Sequence, residues 1–570
     1  MPKLVSKRRK TNKKSKQLGS NSVSLKEKLA EKRQAKEKRA KFIKFMGISA
    51  FIGFMFGLPL GLAISPKIGI GAFTAITTML FSYQYPRTAL WTFLIYMPFS
   101  GTVTYWLASG NVLYQVAKDA FYVPALLALV VDCKRRGKPI FVAKTLIPTL
   151  AFLVLVALIN LLVVNGGEQF LPSCDYLEAL DVQGACKQGI PFLQGVLGLK
   201  VLLGYIPLIF CVYYLIENKK QLLFLGRLLL TLAIICCLLG LAQYWYLKTG
   251  HCKATSELTS GQGLFLASLE AKCLVGGSVL YTPEQGQIRL PGTFVSPWHW
   301  AWFLIANSAI AFTIAFFDPS LIWKFLGLTG MGLVFINAVI CGQRIAFGTV
   351  PAFTLIMFIL TGQIVKLKKF IPIGIGLAIA LIGFASLNPE FFQERLDSFV
   401  GRWNNSPPHL FIADQFDWAL RNYQYYNTLG ILGAGVGRAT NSTRTFGPVS
   451  FVETFHPKLI FEIGYLGLFA FMTFITHLSI YTFKQYRWLR DPALRSFASA
   501  FWVFMLIIGY FPYWYPLDTD PVAVYYWLFA GLLIKLPEID KQERNKELEE
   551  LTHNHKIRNK TFKRLRKRKT

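Results

Sequence analysis

Charge is scarce in this chain. Asp, Glu, Lys and Arg make up 16% of its 570 residues against 53% hydrophobic ones, a balance that the surface of a water-soluble fold could hardly carry. Acid is the scarcer sign: 30 Asp and Glu face 62 Lys and Arg, for a net charge of +32. Such an excess would suit nucleic acid, but no recognition motif accompanies it, so no nucleic-acid partner is expected. Much of the excess sits in two polar, aromatic-poor tails, Met1 to Lys44 and Lys535 to Thr570. Tails of this kind fit cytoplasmic topology anchors drawn to anionic membrane lipids. No long apolar run precedes Phe42. A cleavable signal peptide is therefore not expected, and the first run should be retained as a span.

What the chain has in quantity is apolar runs. A bilayer core about 30 Å thick needs on the order of 20 apolar residues per spanning helix, and about 14 such runs (12–14) can be read. They fall near 46–64, 68–85, 88–108, 119–133, 143–164, 196–216, 222–247, 298–317, 325–341, 346–364, 370–387, 458–480, 497–513 and 521–535. The fold class expected is all-α, a polytopic integral membrane protein. With the N-terminus inside, the inner turns become Arg87, Lys134-Arg135-Arg136 with Lys138, Lys219-Lys220, Lys324, Lys366 with Lys368-Lys369, and Lys484 through Arg495. Almost every short inner turn is then basic, as the positive-inside bias requires, and both termini are cytoplasmic. The organisation expected is a basic tail (1–44), an N-terminal transmembrane region (45–297), a second transmembrane core (298–535) with a long outer loop (388–457), and a basic tail (536–570).

Three outer segments are long enough to hold structure: Asn165 to Gly195, Lys248 to Pro297 and Asn388 to Pro457. Cys174 and Cys186 lie in the first, Cys252 and Cys273 in the second. Two even pairs on one side suggest two disulfides in an oxidising compartment, the alternative being four unrelated thiols. Neither pair has zinc-ligand spacing or enough partnering His, and no metal site or cofactor is expected.

Ionisable groups in or against a membrane are costly, and here they gather on the outer side. Arg344, in Cys341-Gly342-Gln343-Arg344-Ile345, sits at the outer end between two spans, where a headgroup anchor is one role open to it and a functional role the other. The long loop adds Arg395, Arg402, Arg421, Arg438 and Arg444, and passes through an amphipathic stretch at Asp417–Arg421 into a glycine turn, Leu432-Gly433-Ala434-Gly435-Val436-Gly437. It closes at Phe455-His456-Pro457 before an apolar helix that carries Glu462. Pro457 fits a first helical turn, so His456 should lie at the positive end of a helix, which favours a neutral imidazole and a bound anion. A structural cap is the other role open to it. Asp518-Thr519-Asp520 is read as a solvated outer turn, with divalent-ion binding as the alternative.

In combination these residues resemble the O-antigen ligase and O-antigen polymerase family of bacterial envelope enzymes. Gly292-Thr293-Phe294-Val295-Ser296-Pro297-Trp298-His299 is similar to the family's Gly-Thr-Phe turn into a span, and Gly342-Gln343-Arg344 to its small-polar-Arg segment. Glu394-Arg395-Leu396, Trp418-Ala419-Leu420 and the glycine turn resemble its long outer loop. His456 with Glu462, Gly464, Leu466, Gly467 and Leu468 resembles its loop-closing block. The likeness covers residues 290–480. Pro457 stands where the family commonly has Asn, and Ile412-Ala413-Asp414-Gln415 lacks the family's arginine, which leaves Arg421 or Arg402 for that role.

The resemblance implies a membrane glycosyltransferase in the bacterial inner (plasma) membrane. It would transfer a glycan from a polyprenyl-diphosphate-linked donor to a lipid or glycan acceptor on the outer face, as a ligase or a polymerase. In that scheme His456 is the base, and Arg344 and Arg421 hold the diphosphate through charge-assisted bonds. Arg402, Arg438 and His299 bind substrate. The rival reading is a transporter for an anion or a lipid-linked glycan, which calls for ionisable residues at mid-membrane depth. A scaffold docking partners through its tails gives no reason for a His and Arg cluster on the opposite face.

Overall fold

The computed structural model describes residues 25–110, 117–179, 184–260, 268–282, 287–363, 379, 382–383, 386–387, 389–405, 407–425, 431–511 and 517–566. Of the described residues, 77% are helical. Nine helices among the described residues are long and apolar enough to cross a membrane: Arg39–Ala63, Lys144–Gln169, Pro191–Leu215, Lys219–Lys248, Pro297–Phe317, Leu321–Ile340, Phe455–Arg487, Pro492–Tyr510 and Asp520–His553. The expected run 68–85 forms a helix, Pro66–Gln84. Runs 119–133 and 346–364 give the shorter helices Asp119–Arg135 and Arg344–Leu360, and run 88–108 is divided among short helical pieces. Run 370–387 lies largely outside the described residues.

The chain divides into two compact units, Met1–Pro86 and Arg87–Thr570. In the first, α1 (Leu25–Ala63) and α2 (Pro66–Gln84) are joined by a turn in which Ser65 accepts the Ile68 N–H and Pro66 opens the new helix. The two backbones touch where Gly57 and Gly61 meet Gly69; a Cβ on Gly57 would lie 2.7 Å from the Gly69 carbonyl oxygen. Small residues at four-residue spacing let apolar helices approach in this way.

In the second unit the elements that matter for the site are α3 (Pro86–Tyr96), α4 (Asp119–Arg135), α5 (Ile147–Asn160), α6 (Pro191–Leu203), α7 (Leu208–Leu215), α8 (Lys219–Lys248), α9 (Pro297–Phe317), α10 (Leu321–Ile340) and α11 (Arg344–Leu360). They are followed by α12 (Pro389–Asn405), α13 (Pro408–Tyr425), α14 (Phe455–Arg487), α15 (Pro492–Tyr510) and α16 (Asp520–Arg566). The core is centred on α9, whose residues from Trp300 to Ala315 are all buried, as befits a helix apolar on every side. Proline and polar caps set the helix starts. Asp491 accepts the N–H groups of Ala493 and Leu494 ahead of Pro492, and also pairs with Lys219. Burial pushes the Asp491 carboxyl up, but the Lys219 ammonium and the cap outweigh it and hold the group below the usual carboxylate range.

The long segment between α8 and α9 is not purely helical or irregular. It forms two antiparallel two-stranded ribbons, β1 (Lys272–Cys273) with β2 (Val275–Ser278) and β3 (Leu280–Thr282) with β4 (Gln287–Arg289). Gln243 of α8 holds the region by donating to the Cys273 and Val275 carbonyls and accepting the Gly292 N–H. Cys174 is bonded to Cys186 and Cys252 to Cys273, at separations of 12 and 21 residues. Cys133, Cys211, Cys236, Cys237 and Cys341 are buried thiols.

These pairings carry a measurable prediction. Non-reducing peptide mass spectrometry should return those two linked pairs, and replacing both Cys252 and Cys273 by Ser should lower stability by about 3 kcal/mol in thermal unfolding, the loss of one loop constraint. Four free thiols in the protein isolated from its membrane would contradict the pairing.

Candidate functional site

The site grows out of a break in a membrane helix. α14 begins at Phe455 after the extended residue Thr454, runs to Ile463, is interrupted at Gly464 (φ 69°, ψ −174°), and resumes to Arg487. A side chain at Gly464 would be strained by that φ and would meet the Ile431 carbonyl oxygen at 2.0 Å. An interruption frees carbonyls that lipid could not satisfy, so irregular backbone at this depth must be covered by protein. The glycine segment 432–437 supplies the cover: Ala434 N–H donates to Phe461 O at 2.7 Å and Gly435 N–H to Glu462 O at 3.0 Å. Gly433 permits the approach, since a Cβ there would lie 2.6 Å from the Gly464 nitrogen.

The segment is therefore not a solvent-exposed turn. It is buried, and amide side chains of two apolar helices hold its far side. Asn160, at the end of α5, donates to Leu432 O and Glu462 O and accepts the Val436 N–H at 2.9 Å. Asn165 donates to Val436 O, and Gln194 of α6 to Pro448 O at 2.8 Å. α13 lies over the half-helix through the Trp418 ring, 5.4 Å from that of Phe461, above a cluster of Ala419, Ala434, Ala439 and Val452.

His456, in the first turn of α14, is 6% exposed and packs against Phe455 and Phe471. Its Nε2 lies 3.3 Å from the Gly509 carbonyl of α15. A carbonyl can only accept, so Nε2 carries the proton and donates, and the Nδ1 lone pair is left available. Nδ1 is buried and, among the described residues, has no hydrogen-bond partner.

Two residues further on, Lys458 is 2% exposed and pairs with Asp518, with Glu462 at 3.7 Å. Glu462 Oε1 accepts the Ala439 N–H at 2.7 Å and the Thr440 hydroxyl at 2.9 Å, tying the half-helix to the end of the glycine segment. The same acidic turn reaches a second buried lysine: Asp520 pairs with Lys118 and accepts the Tyr205 hydroxyl at 3.2 Å. Lys200 pairs with Asp119 at 2.7 Å, and Asp520 also acts electrostatically on His299, whose Nδ1 is bonded to Ser296. Lys200 lies nine residues into α6, about 14 Å along the helix axis.

The expectation of a solvated turn at Asp518-Thr519-Asp520 is thus corrected: its two carboxylates take two buried lysines, Lys458 of α14 and Lys118 in the turn that leads into α4. Lys118, Asp119, Lys200 and Lys458 are buried or half-buried ionisable groups that the expectation of charges gathered outside the spans does not include. The signal was present. A lone Lys in Gly198-Leu199-Lys200-Val201, or Asn160 and Gln194 inside apolar runs, is expensive unless it has a partner.

The remaining sequence candidates are dispersed. Arg344 is the first residue of α11, partly buried, after Gln343. Arg421 lies on the exposed side of α13, paired with Asp417, whose carboxyl it holds below the usual carboxylate range. Arg438 is mostly buried and pairs with Glu168. Arg402 belongs to α12, and its side chain lies outside the described residues. No model of a protein family matches the chain, and no curated protein matches it in sequence.

Proposed function

We propose that this protein transfers a glycan from a polyprenyl-diphosphate carrier to a hydroxyl acceptor on the outer face of a bacterial plasma membrane. The observation that carries the reading is His456: a carbonyl fixes its tautomer, its second nitrogen is buried and unpartnered, and it sits at a helix N-terminus in a broken membrane helix. In the reaction the acceptor oxygen attacks the sugar anomeric carbon, the bond from that carbon to the phosphate oxygen breaks, and the acceptor proton passes to Nδ1. Polyprenyl diphosphate leaves with the negative charge. Fixed cations stabilise charge that develops on such a leaving group. We assign Arg344 to this task, with Arg421 and Arg402, on the two helices ahead of the glycine segment, as candidates for the second contact. Arg438 is neutralised by Glu168 and serves the loop.

The finer topology belongs to the same proposal: about 14 spans with both basic tails inside, supported by the basic inner turns and by hydrophobic lengths that fit the bilayer. One observation favours the transporter reading instead. The pairs Lys118–Asp520 and Lys200–Asp119 lie beside the discontinuity between α6 and α7, and broken helices with buried ion pairs also line transport sites.

The test is reconstitution of the purified chain with polyprenyl-diphosphate-linked glycan and a hydroxyl acceptor, reading glycan transfer and released polyprenyl diphosphate in equal amounts. Because the base is an imidazole and Asp518 and Asp520 are each taken by a lysine, transfer should persist in excess chelator. Abolition by chelator with recovery on adding magnesium would move the chemistry to those carboxylates. Flux of a solute or of the lipid-linked glycan without any transfer would favour the transporter.

A further inference from the structure

A second polar feature lies far along the chain from His456, at the ends of α3, α4 and α7 that carry the basic turns. A cavity of about 390 Å³ is lined there by Arg87, Asp132, Arg136, Lys138, Tyr214 and Glu217. Its walls are held in place. α4 ends with Lys138 N–H donating to Cys133 O at 2.9 Å, which turns the chain back across the helix end. The Tyr214 hydroxyl donates to Pro139 O at 2.7 Å, and the Lys138 ammonium stands 5.6 Å from the Tyr214 ring centre. Arg87 pairs with Glu217 and donates to Tyr214 O at 3.4 Å, while Arg136 pairs with Asp132 at 2.8 Å. The Arg87 hydrogen bond holds the Glu217 carboxyl below the usual range, so that carboxylate is committed to Arg87.

The lining therefore holds three cations and two carboxylates, each carboxylate paired with an arginine, and Lys138 is the cation left over. A bulk basic surface attracts anionic lipid anywhere near it. A preformed cavity with forked guanidinium donors beside an ammonium instead matches one tetrahedral anion. We infer that this cavity binds a phosphate group on the face that carries the basic turns. The group is either the phosphodiester headgroup of an anionic phospholipid or a soluble phosphate. This site is separate from the proposed transfer chemistry and does not depend on it.

The experiment uses the purified full chain in phosphatidylcholine nanodiscs containing phosphatidylglycerol, with retained lipid counted by native mass spectrometry. Arg136→Gln/Lys138→Gln is compared with Lys134→Gln/Arg135→Gln, which removes the same charge from exposed neighbours that do not line the cavity. Loss of two charge-assisted contacts should lower retained phosphatidylglycerol roughly tenfold in the first variant and leave the second near wild type. A parallel arm adds inorganic phosphate. If millimolar phosphate displaces the lipid from wild type, the site takes soluble phosphate as well; if it does not, the phospholipid is the ligand. An equal loss in both variants would show surface electrostatics without a site, and no loss in either would show that the cavity holds no phosphate. Either result overturns the inference.

Discussion

Replacing His456 by alanine should lower the rate of glycan transfer by about a hundred-fold to ten-thousand-fold, the range of a general-base contribution. The size follows from the geometry of one ring. Nε2 is spent on the Gly509 carbonyl, so Nδ1 is the atom that can take a proton, and removing the ring removes it. The fold should survive, because the substitution frees one carbonyl and leaves a small cavity between Phe455 and Phe471. Donor binding should be largely retained, which separates this variant from Arg344→Ala. That second variant should weaken donor binding and turnover together, since a contact to the diphosphate acts in both the ground state and the transition state. A purely structural His456 would give the opposite pattern, loss of folded protein with normal activity per folded molecule.

Lys458→Met should be the most damaging single change to stability. Its ammonium is 2% exposed and compensates Asp518 directly and Glu462 at 3.7 Å. Removing one partner of a buried pair leaves an uncompensated charge and typically costs about 3–5 kcal/mol. Here two carboxylates are left facing each other, so the upper part of that range is expected. The cost should appear as a lower thermal midpoint of the detergent-purified protein. Lys458→Arg, which keeps the charge, should recover most of it. If Lys458→Met melts with wild type, the pairing of Lys458 with the acidic turn is not holding the half-helix.

The sequence made the helical membrane architecture legible because hydropathy and length are local properties. A span announces itself within about 20 residues, whatever it packs against. The cysteine pairs were legible for a similar reason, since each falls within one segment between two apolar runs. The segment 432–437 was harder. Its glycines marked a special backbone, but only the break at Gly464, some 30 residues away, turns a surface turn into the buried cover of an interrupted helix. Nothing local distinguishes the two.

The charges show the same limit more sharply. Asp518 and Asp520 look solvated because they flank Thr519 in a short acidic turn ahead of Pro521. Their partners, Lys458 and Lys118, come from distant parts of the chain, and the second lies 402 residues away from Asp520. Arg421 illustrates the converse: an arginine in an amphipathic stretch looked available for phosphate, and the stretch did form a helix, but Asp417 one turn earlier takes the guanidinium. Such a pairing on an exposed face is weak, so it leaves Arg421 open to exchange partners when a diphosphate is present.

The most direct test of the account is the amount and sidedness of polyprenyl-linked glycan in cells that carry wild-type or His456→Ala protein at matched expression. Loss of the base should stop transfer after the donor has reached the outer face. The lipid-linked donor should therefore accumulate in the outer leaflet while surface glycan falls. Donor trapped in the inner leaflet would assign the protein to transport, and unchanged surface glycan with unchanged donor pools would contradict glycan transfer at His456 altogether.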